Sequence, residues 1–161
     1  MKADSYTTTI TVDESPAAAF AAIVNVREWW SGLPGVEGRA DRLGAEFTYR
    51  YDPHHYSKQT VTELVPGRKV AWSVTDARIN FVAEKTEWTG TTIVFDIARK
   101  DGRTRVRFTH VGLVPASECF NACADAWGGY IKVRLKTLIA TMPTRAARRQ
   151  RRAAASATDA R

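Results

Sequence analysis

Cysteine is scarce in this sequence, and long apolar runs are missing. Its 161 residues include two cysteines, Cys119 and Cys123, whose four-residue separation is not the spacing of an extracellular disulfide framework. The N-terminal stretch MKADSYTTT lacks the apolar core of a secretory signal, and no run approaches the roughly 18 apolar residues of a membrane span. We therefore expect a cytoplasmic protein with reduced thiols and no transmembrane segment.

Positive charge is concentrated near the C-terminal end. The formal net charge is +7, yet residues 143–161 hold six arginines and a single acidic residue, Asp159. The 18 basic and 16 acidic residues of 1–142 nearly balance. This division predicts one domain over 1–142 and a flexible Arg/Ala-rich tail over 143–161. The tail is either a solvated, solubilising segment or a site of weak, nonspecific polyanion contact.

Residue patterns indicate a mixed α and β chain. Alternating apolar and polar residues predict a series of strands, and DESP followed by PAAAFAAIV predicts a short helix at 16–24. A second short helix is expected to end near Trp29–Trp30, followed by a turn-rich stretch over 31–38, and 76–90 shows no regular pattern. The predicted strands cover 5–12, 44–51, 56–65, 69–75, 91–98 and 103–110.

The longest helical pattern runs over residues 116–141. Ser117 is the candidate N-cap, and apolar residues recur at three- and four-residue intervals along one face. Gly128 and Gly129 interrupt that face at a cost of about 2 kcal/mol relative to alanine. We expect a close backbone contact, a kink or space for a ligand at this pair.

Three segments give the chain a family resemblance: ESPAAAFAAIVNVREWW, EWTGTTIVFDI and FTHVGLVPASECFNACADAWGGYI. Over about residues 5–142 the chain resembles the SRPBCC (START/Bet v 1-like) superfamily, and within it the Aha-type domain named after the activator of the heat-shock-protein-90 ATPase. The resemblance implies an α+β helix-grip fold, in which a curved antiparallel sheet wraps around a long C-terminal helix and two short helices follow the first strand. It also implies an apolar cavity between sheet and helix.

Aromatic residues on the predicted inner face are the candidate ligand-binding residues. For each of them a close-packed core is the alternative, because protein interiors are normally filled. Tyr49, Tyr51, His110 and Tyr130 would supply polar anchors in an otherwise apolar site. The full candidate set is Phe47, Tyr49, Tyr51, Trp72, Phe95, Phe108, His110, Trp127 and Tyr130.

Other polar residues carry competing interpretations. His110 is either a ligand contact or general base, or a structural histidine bonded within the core. His54 and His55 lie in a turn beside Asp52 without a second ligand cluster, so a metal site is not predicted there. Cys119 and Cys123 are one helical turn apart and are interpreted as small buried side chains rather than a metal or reactive site.

The sequence does not decide the roles of two further residue pairs. Glu87 and Trp88 precede an inward-facing strand, where Glu87 would meet a basic group, a polar ligand or solvent. Trp29 and Trp30 would close a cavity mouth or simply pack in the core.

The sequence supports three functional hypotheses. The first is binding of a small hydrophobic molecule by a cytoplasmic carrier or sensor, with no cofactor. The second is a protein-interaction module that resembles the chaperone-ATPase activator and binds a chaperone partner. The third is a cavity enzyme of cyclase or hydrolase type, with His110 or a tyrosine as acid or base; no catalytic motif of the family can be carried over to this chain.

Overall fold

A computed structural model describes residues 4–142 as an antiparallel sheet packed against a long helix. The predicted Arg/Ala-rich tail lies outside the described residues. Seven strands form one sheet in the order β1-β7-β6-β5-β4-β3-β2, and every neighbouring pair is antiparallel. The strands are β1 (Tyr6–Val12), β2 (Pro34–Gly38), β3 (Glu46–Tyr51), β4 (His55–Val65), β5 (Lys69–Ile79), β6 (Thr92–Lys100) and β7 (Arg103–Val111).

The sheet corrects two sequence predictions. Residues 31–38 were expected to be turn-rich, but Pro34–Gly38 forms the edge strand β2 against β3. Strand β5 continues to Ile79, four residues beyond its predicted end, because β4 pairs with it as far as His55. The strand that was predicted at 103–110 is confirmed, with Val106, Phe108 and His110 buried on one face.

Two short helical segments follow β1, as expected. Helix α1 (Pro16–Val24) begins at the N-cap Ser15, whose Oγ accepts a hydrogen bond from the backbone N–H of Ala18 at 3.1 Å. The second is a 3₁₀ turn at Val26–Glu28. It delivers Trp29 and Trp30 into the core, where both are almost fully buried.

The long C-terminal helix is less regular than its sequence pattern suggests. Helix α2 (Phe120–Gly129) passes into a π-helical segment (Tyr130–Leu135), and helical structure then continues to residue 142. The predicted start at residue 116 with Ser117 as N-cap is wrong. The Ser117 Oγ instead accepts a hydrogen bond from the Val114 N–H in the preceding turn, and the helix begins three residues after it.

Candidate binding groove

An open groove of about 390 Å³ lies at one end of the interface between sheet and helix. One wall is the first part of α2, and the other combines the β3–β4 turn with the loop that joins β5 to β6. The volume is within the range of small-molecule sites, about 300–1,000 Å³. Its lining residues are Trp30, Tyr49, Tyr51, His54, His55, Phe81, Trp88, Ala122, Cys123, Ala126, Trp127 and Tyr130.

The groove contains part of the predicted ligand-binding set. Tyr49, Tyr51, Trp127 and Tyr130 line it. The other five candidates do not line it and are buried, at 2% exposure or less, although Phe47 lines a separate opening of about 410 Å³ beside the 3₁₀ turn. These five are Phe47, Trp72, Phe95, Phe108 and His110.

Trp30 explains why the centre of the interface is filled. Its ring stacks on Tyr49 with centroids 4.2 Å apart and lies against Trp127 at 4.9 Å. Trp72 and Phe95 continue this packing, with their ring centroids 5.1 Å apart. Indole and phenyl rings therefore occupy the space between sheet and helix, and the open volume is displaced to one end.

Apolar side chains are exposed around the groove and the opening beside it. Tyr51 was expected to point inward, but 47% of its surface is exposed because it ends β3 at the edge of the groove. Phe81, in the loop that joins β5 to β6, is 50% exposed. Leu33, which bridges to Tyr51, and Val133 are more than 60% exposed. We call these four residues, Leu33, Tyr51, Phe81 and Val133, the apolar rim.

Two tyrosine hydroxyls meet at the inner end of the groove. The Tyr130 hydroxyl donates to the Ser31 carbonyl at 2.6 Å, which leaves its oxygen to accept the Tyr49 hydroxyl at 2.8 Å. Burial, followed by the hydrogen bond with Tyr130, raises the pKa of Tyr49. The Tyr49 phenol therefore remains protonated near neutral pH, and the two hydroxyl oxygens are polar points on an aromatic wall.

His110 is held in a directed hydrogen-bond chain behind the groove. Trp127 Nε1–H donates to His110 Nδ1 at 3.1 Å, so this nitrogen is an acceptor. The Thr91 hydroxyl donates to the Trp88 carbonyl at 2.6 Å and accepts from His110 Nε2 at 2.8 Å. The imidazole is consequently neutral, and burial lowers its pKa to about 3. Both ring nitrogens are occupied, which corresponds to the structural interpretation of this histidine.

Two buried polar atoms of residues on the groove wall have no hydrogen-bond partner: His55 Nε2 and Trp88 Nε1. The two rings pack edge to face with centroids 4.4 Å apart. Burial lowers the pKa of His55 to about 4, so its imidazole is neutral near pH 7. Unpaired buried polar groups are costly, about 1–3 kcal/mol each, and a ligand that pairs with them recovers part of that cost.

Glu87 fixes the loop carrying Trp88 to the start of α2. Its carboxylate accepts hydrogen bonds from the backbone N–H groups of Glu118 at 2.6 Å and Cys119 at 3.0 Å, the two residues directly before α2. Backbone N–H groups at the start of a helix have no partner within the helix. The Glu118 carboxylate in turn accepts the N–H groups of Ala83 and Glu84. This reciprocal pair holds the two groove walls together, and it answers the open question of what Glu87 contacts.

The family assignment follows from comparison with known proteins. A family model described as Activator of Hsp90 ATPase homolog 1-like protein matches residues 15–140. The chain belongs to this family. The expected Aha-type SRPBCC domain and helix-grip fold are therefore confirmed, and the family supports a ligand-binding type of domain in general.

Solved structures share the fold of this Aha-type domain at low sequence identity. The Aha1 dimer from Colwellia psychrerythraea is 22% identical with a TM-score of 0.65, covering 86% of this chain and 96% of that chain. A protein from Rhizobium leguminosarum is 13% identical, with a TM-score of 0.63 and coverages of 86% and 96%. CalU16 from Micromonospora echinospora is also 13% identical, with a TM-score of 0.60 and coverages of 96% and 87%. The comparison with curated proteins finds no significant match.

The glycine pair of this Aha-type domain, Gly128 and Gly129, lies beside open space rather than close backbone. A Cβ on Gly128 would be 3.8 Å from the Tyr6 hydroxyl, and a Cβ on Gly129 would meet nothing within 4 Å. A close backbone contact is therefore not the reason for Gly129. It faces a second opening of about 500 Å³, which adjoins the groove through Tyr51, Ala126 and Tyr130. The helix changes to π geometry directly after the pair.

Charged side chains and clusters of metal-ligating residues are lacking at the groove. No Asp, Glu, Lys or Arg lines the groove itself. Within residues 4–142, no group of three or more His, Cys, Asp or Glu side chains is placed to hold a metal ion. Across the same residues, no helix has the length and apolar character needed to cross a membrane.

Sequence reasoning missed several groove residues. His55 had been considered only as a metal ligand, and Ala122 and Ala126 not at all. Trp88 and Phe81 lie in the segment 76–90, for which the sequence shows no regular pattern. The available signal was the length of that segment, 76–90, which holds two large aromatics and few apolar neighbours to bury them.

Proposed function

We propose that the groove binds a small, planar, uncharged aromatic molecule bearing a hydrogen-bond acceptor, and that the protein is a cytoplasmic carrier or sensor of such molecules. The unpartnered Trp88 Nε1–H, set in an aromatic wall beside the unpartnered His55 Nε2, is the observation that carries this proposal. An indole nitrogen is a donor only, so its partner must be an acceptor atom of the ligand.

Ring packing favours a flat ligand. The Trp88 and Trp127 rings lie nearly parallel, at 11° with centroids 5.7 Å apart, and both line the groove. Tyr130 lies against Trp127 at 6.5 Å and closes the same wall. An aromatic ligand gains offset-stacked or edge-to-face contacts with such rings, worth about 0.5–1.5 kcal/mol per pair beyond buried area.

Electrostatics favour a neutral ligand. Around the groove the charged side chains lie in the adjoining opening, where Asp125 and Arg134 are on the outer side of α2 and the π segment. His55 stays neutral because burial lowers its pKa, and Tyr49 stays protonated because burial raises its pKa. A carboxylate or ammonium ion entering the groove would lose hydration without gaining an opposite charge.

A series of naphthalene derivatives separates these contributions. We expect 2-acetonaphthone to bind more tightly than naphthalene, and 2-naphthoate to bind most weakly, in titrations followed by intrinsic tryptophan fluorescence and calorimetry. Trp88→Phe keeps a smaller aromatic ring and removes the donor, so it should weaken the 2-acetonaphthone complex by about five- to ten-fold more than the naphthalene complex.

Trp72→Phe is the matched control for that variant. Trp72 Nε1 is also buried without a partner, but it lies in the filled core and does not line the groove. The control should leave the affinity for 2-acetonaphthone unchanged. Tightest binding of 2-naphthoate, or equal losses in both variants, would contradict the proposed ligand class.

The apolar rim favours a second candidate, the interaction module. Its four exposed side chains surround the openings, and large exposed apolar patches mark interaction surfaces. If the chain acts as the family description suggests, adding it to purified heat-shock-protein-90 chaperone should raise the ATPase rate. The Leu33→Ser, Val133→Ser double variant should then abolish the stimulation, whereas no stimulation by the native chain would remove this candidate.

A further inference from the structure

The two cysteines form a buried dithiol on the groove wall. Cys119 is the N-cap of α2 and Cys123 follows one turn later, joined by the Cys123 N–H to Cys119 carbonyl hydrogen bond at 2.8 Å. Their exposed fractions are 1% and 4%. Cys123 nevertheless lines the groove, so a molecule inside the groove reaches its sulfur without crossing the core, and Cys119 lies one helical turn before it.

The two thiols influence each other's ionisation. A hydrogen bond from the Cys123 thiol lowers the pKa of Cys119 against the opposing effect of burial. The same contact, together with burial, raises the pKa of Cys123. Cys119 is therefore the more readily ionised sulfur of the two.

The number of available ligands limits what the dithiol can bind. Structural zinc takes four ligands, and in the part of the chain that the structure describes no third His, Cys, Asp or Glu joins the two sulfurs. An atom that binds thiols, forms three bonds and already carries one carbon substituent needs only two sulfur ligands, which is the number available here. The aromatic groove beside Cys123 provides space for that substituent.

We propose that Cys119 and Cys123 form a chelating site for a mono-aryl trivalent arsenic compound, with both sulfurs bound to arsenic and the aryl ring lying in the groove against Trp88 and Trp127. The proposal uses the groove of the proposed function but does not require the neutral ligand described there. It assigns a role to a dithiol that otherwise only fills space.

The reaction balances without an oxidant or reductant. An aryl arsenic(III) oxide reacts with two thiols to form two arsenic–sulfur bonds, and the oxide oxygen leaves as water with the two thiol protons. Arsenic remains trivalent throughout. Cys119 is the expected first nucleophile because thiolates, and not thiols, bond to such centres.

Phenylarsine oxide is the probe for the test. Native mass spectrometry of the full chain should show one adduct per chain, with the mass of a phenylarsenic group in place of two hydrogens. The adduct should be reversed by 2,3-dimercaptopropanol and resist an equal concentration of 2-mercaptoethanol thiol. Cys119→Ser and Cys123→Ser should each lower the affinity by about 100-fold, since the second bond is no longer intramolecular.

Entry through the groove is tested by two tryptophan substitutions. Ala126 lines the groove, so Ala126→Trp should slow adduct formation. Ala116 is exposed and does not line it, so Ala116→Trp should have no effect. Circular dichroism and the melting temperature establish that each variant is folded.

Several results would overturn the dithiol site. These are an adduct in guanidinium but not in the native chain, equal affinity in either cysteine variant, or binding of one copper(I) ion without any arsenical adduct. The outcome is distinguishable from that of the proposed function. If no naphthalene derivative binds but the phenylarsenic adduct is stable, the neutral ligand is removed and the dithiol site remains. If the naphthalene series binds as expected but no phenylarsenic adduct forms, the dithiol site is removed and the neutral ligand remains.

Discussion

Trp72 and Trp88 show how differently the two ends of the sheet–helix interface are built. Both rings are buried and both indole nitrogens lack a partner. Trp72 is surrounded by Trp29, Phe47 and Phe95, in a region that packing has filled. Trp88 lies on the wall of an open groove. The same chemical group is thus a packing element at one end and, in the proposed function, a binding contact at the other.

Alanine substitution of one phenylalanine in each region is the strongest test of this comparison. Phe95 is fully buried between Trp72 and Phe108, whereas Phe81 is half exposed at the groove. We expect Phe95→Ala to lower the free energy of unfolding by about 3–5 kcal/mol, because it leaves a cavity in a packed core. Phe81→Ala should change it by less than about 0.5 kcal/mol.

Urea denaturation of both variants checks this prediction. Equal losses would mean that the groove end is packed as tightly as the centre.

Acid should destabilise the chain through its buried histidine. The pKa of His110 is about 3 in the folded chain and 6.5 when unperturbed, so between these values the unfolded chain binds a proton that the native chain excludes. Stability therefore falls as the pH drops below about 6.5. The contribution of His110 is about 2 kcal/mol at pH 5, which denaturation at pH 8 and pH 5 measures.

His110→Gln provides the control, because an amide can accept from Trp127 and donate to Thr91 without titrating. The variant should lose about 2 kcal/mol of the pH dependence, and His55 accounts for a remaining part in the same direction since its pKa is also lowered. An unchanged pH dependence would show that His110 is protonated in the folded chain.

The helix beside the groove should tolerate added volume. Gly129 has helical backbone angles, and a Cβ there would meet nothing within 4 Å. Gly129→Ala should therefore raise the free energy of unfolding by about 1 kcal/mol through helix propensity alone.

Gly32→Ala is the contrasting variant for thermal denaturation. A Cβ at Gly32 would collide with the Arg50 carbonyl and come within 2.8 Å of the Tyr49 ring, so this change should destabilise the chain. A loss of stability in Gly129→Ala would mean that the helix packs there more closely than the open space indicates.

Local patterns predicted much of the fold. Alternation over 103–110 correctly placed Val106 and Phe108 inside, and the Ser15–Pro16 signal marked the start of α1. The edge strand β2 was missed because Pro34 and two glycines are typical of turns. Pairing with β3, the next strand along the chain, holds these residues extended.

The position of the groove could not be predicted from periodicity. It depends on Trp30, which follows a 3₁₀ turn and belongs to no repeating pattern, yet fills the centre by stacking on Tyr49. The inward direction of Phe47, Phe95 and Phe108 was predictable, but not whether another ring would occupy the space above them. The position of the groove is therefore determined by packing between segments that are not adjacent in the sequence.

The most direct test of the binding groove is the indole N–H region of the nitrogen–proton correlation spectrum during titration with 2-acetonaphthone. Trp88→Phe and Trp72→Phe assign the two signals by loss of a peak. We predict that the Trp88 signal moves downfield as its N–H gains an acceptor, while the Trp72 signal stays in place. A fixed Trp88 signal at saturating ligand, or a larger shift of the Trp72 signal, would contradict the account.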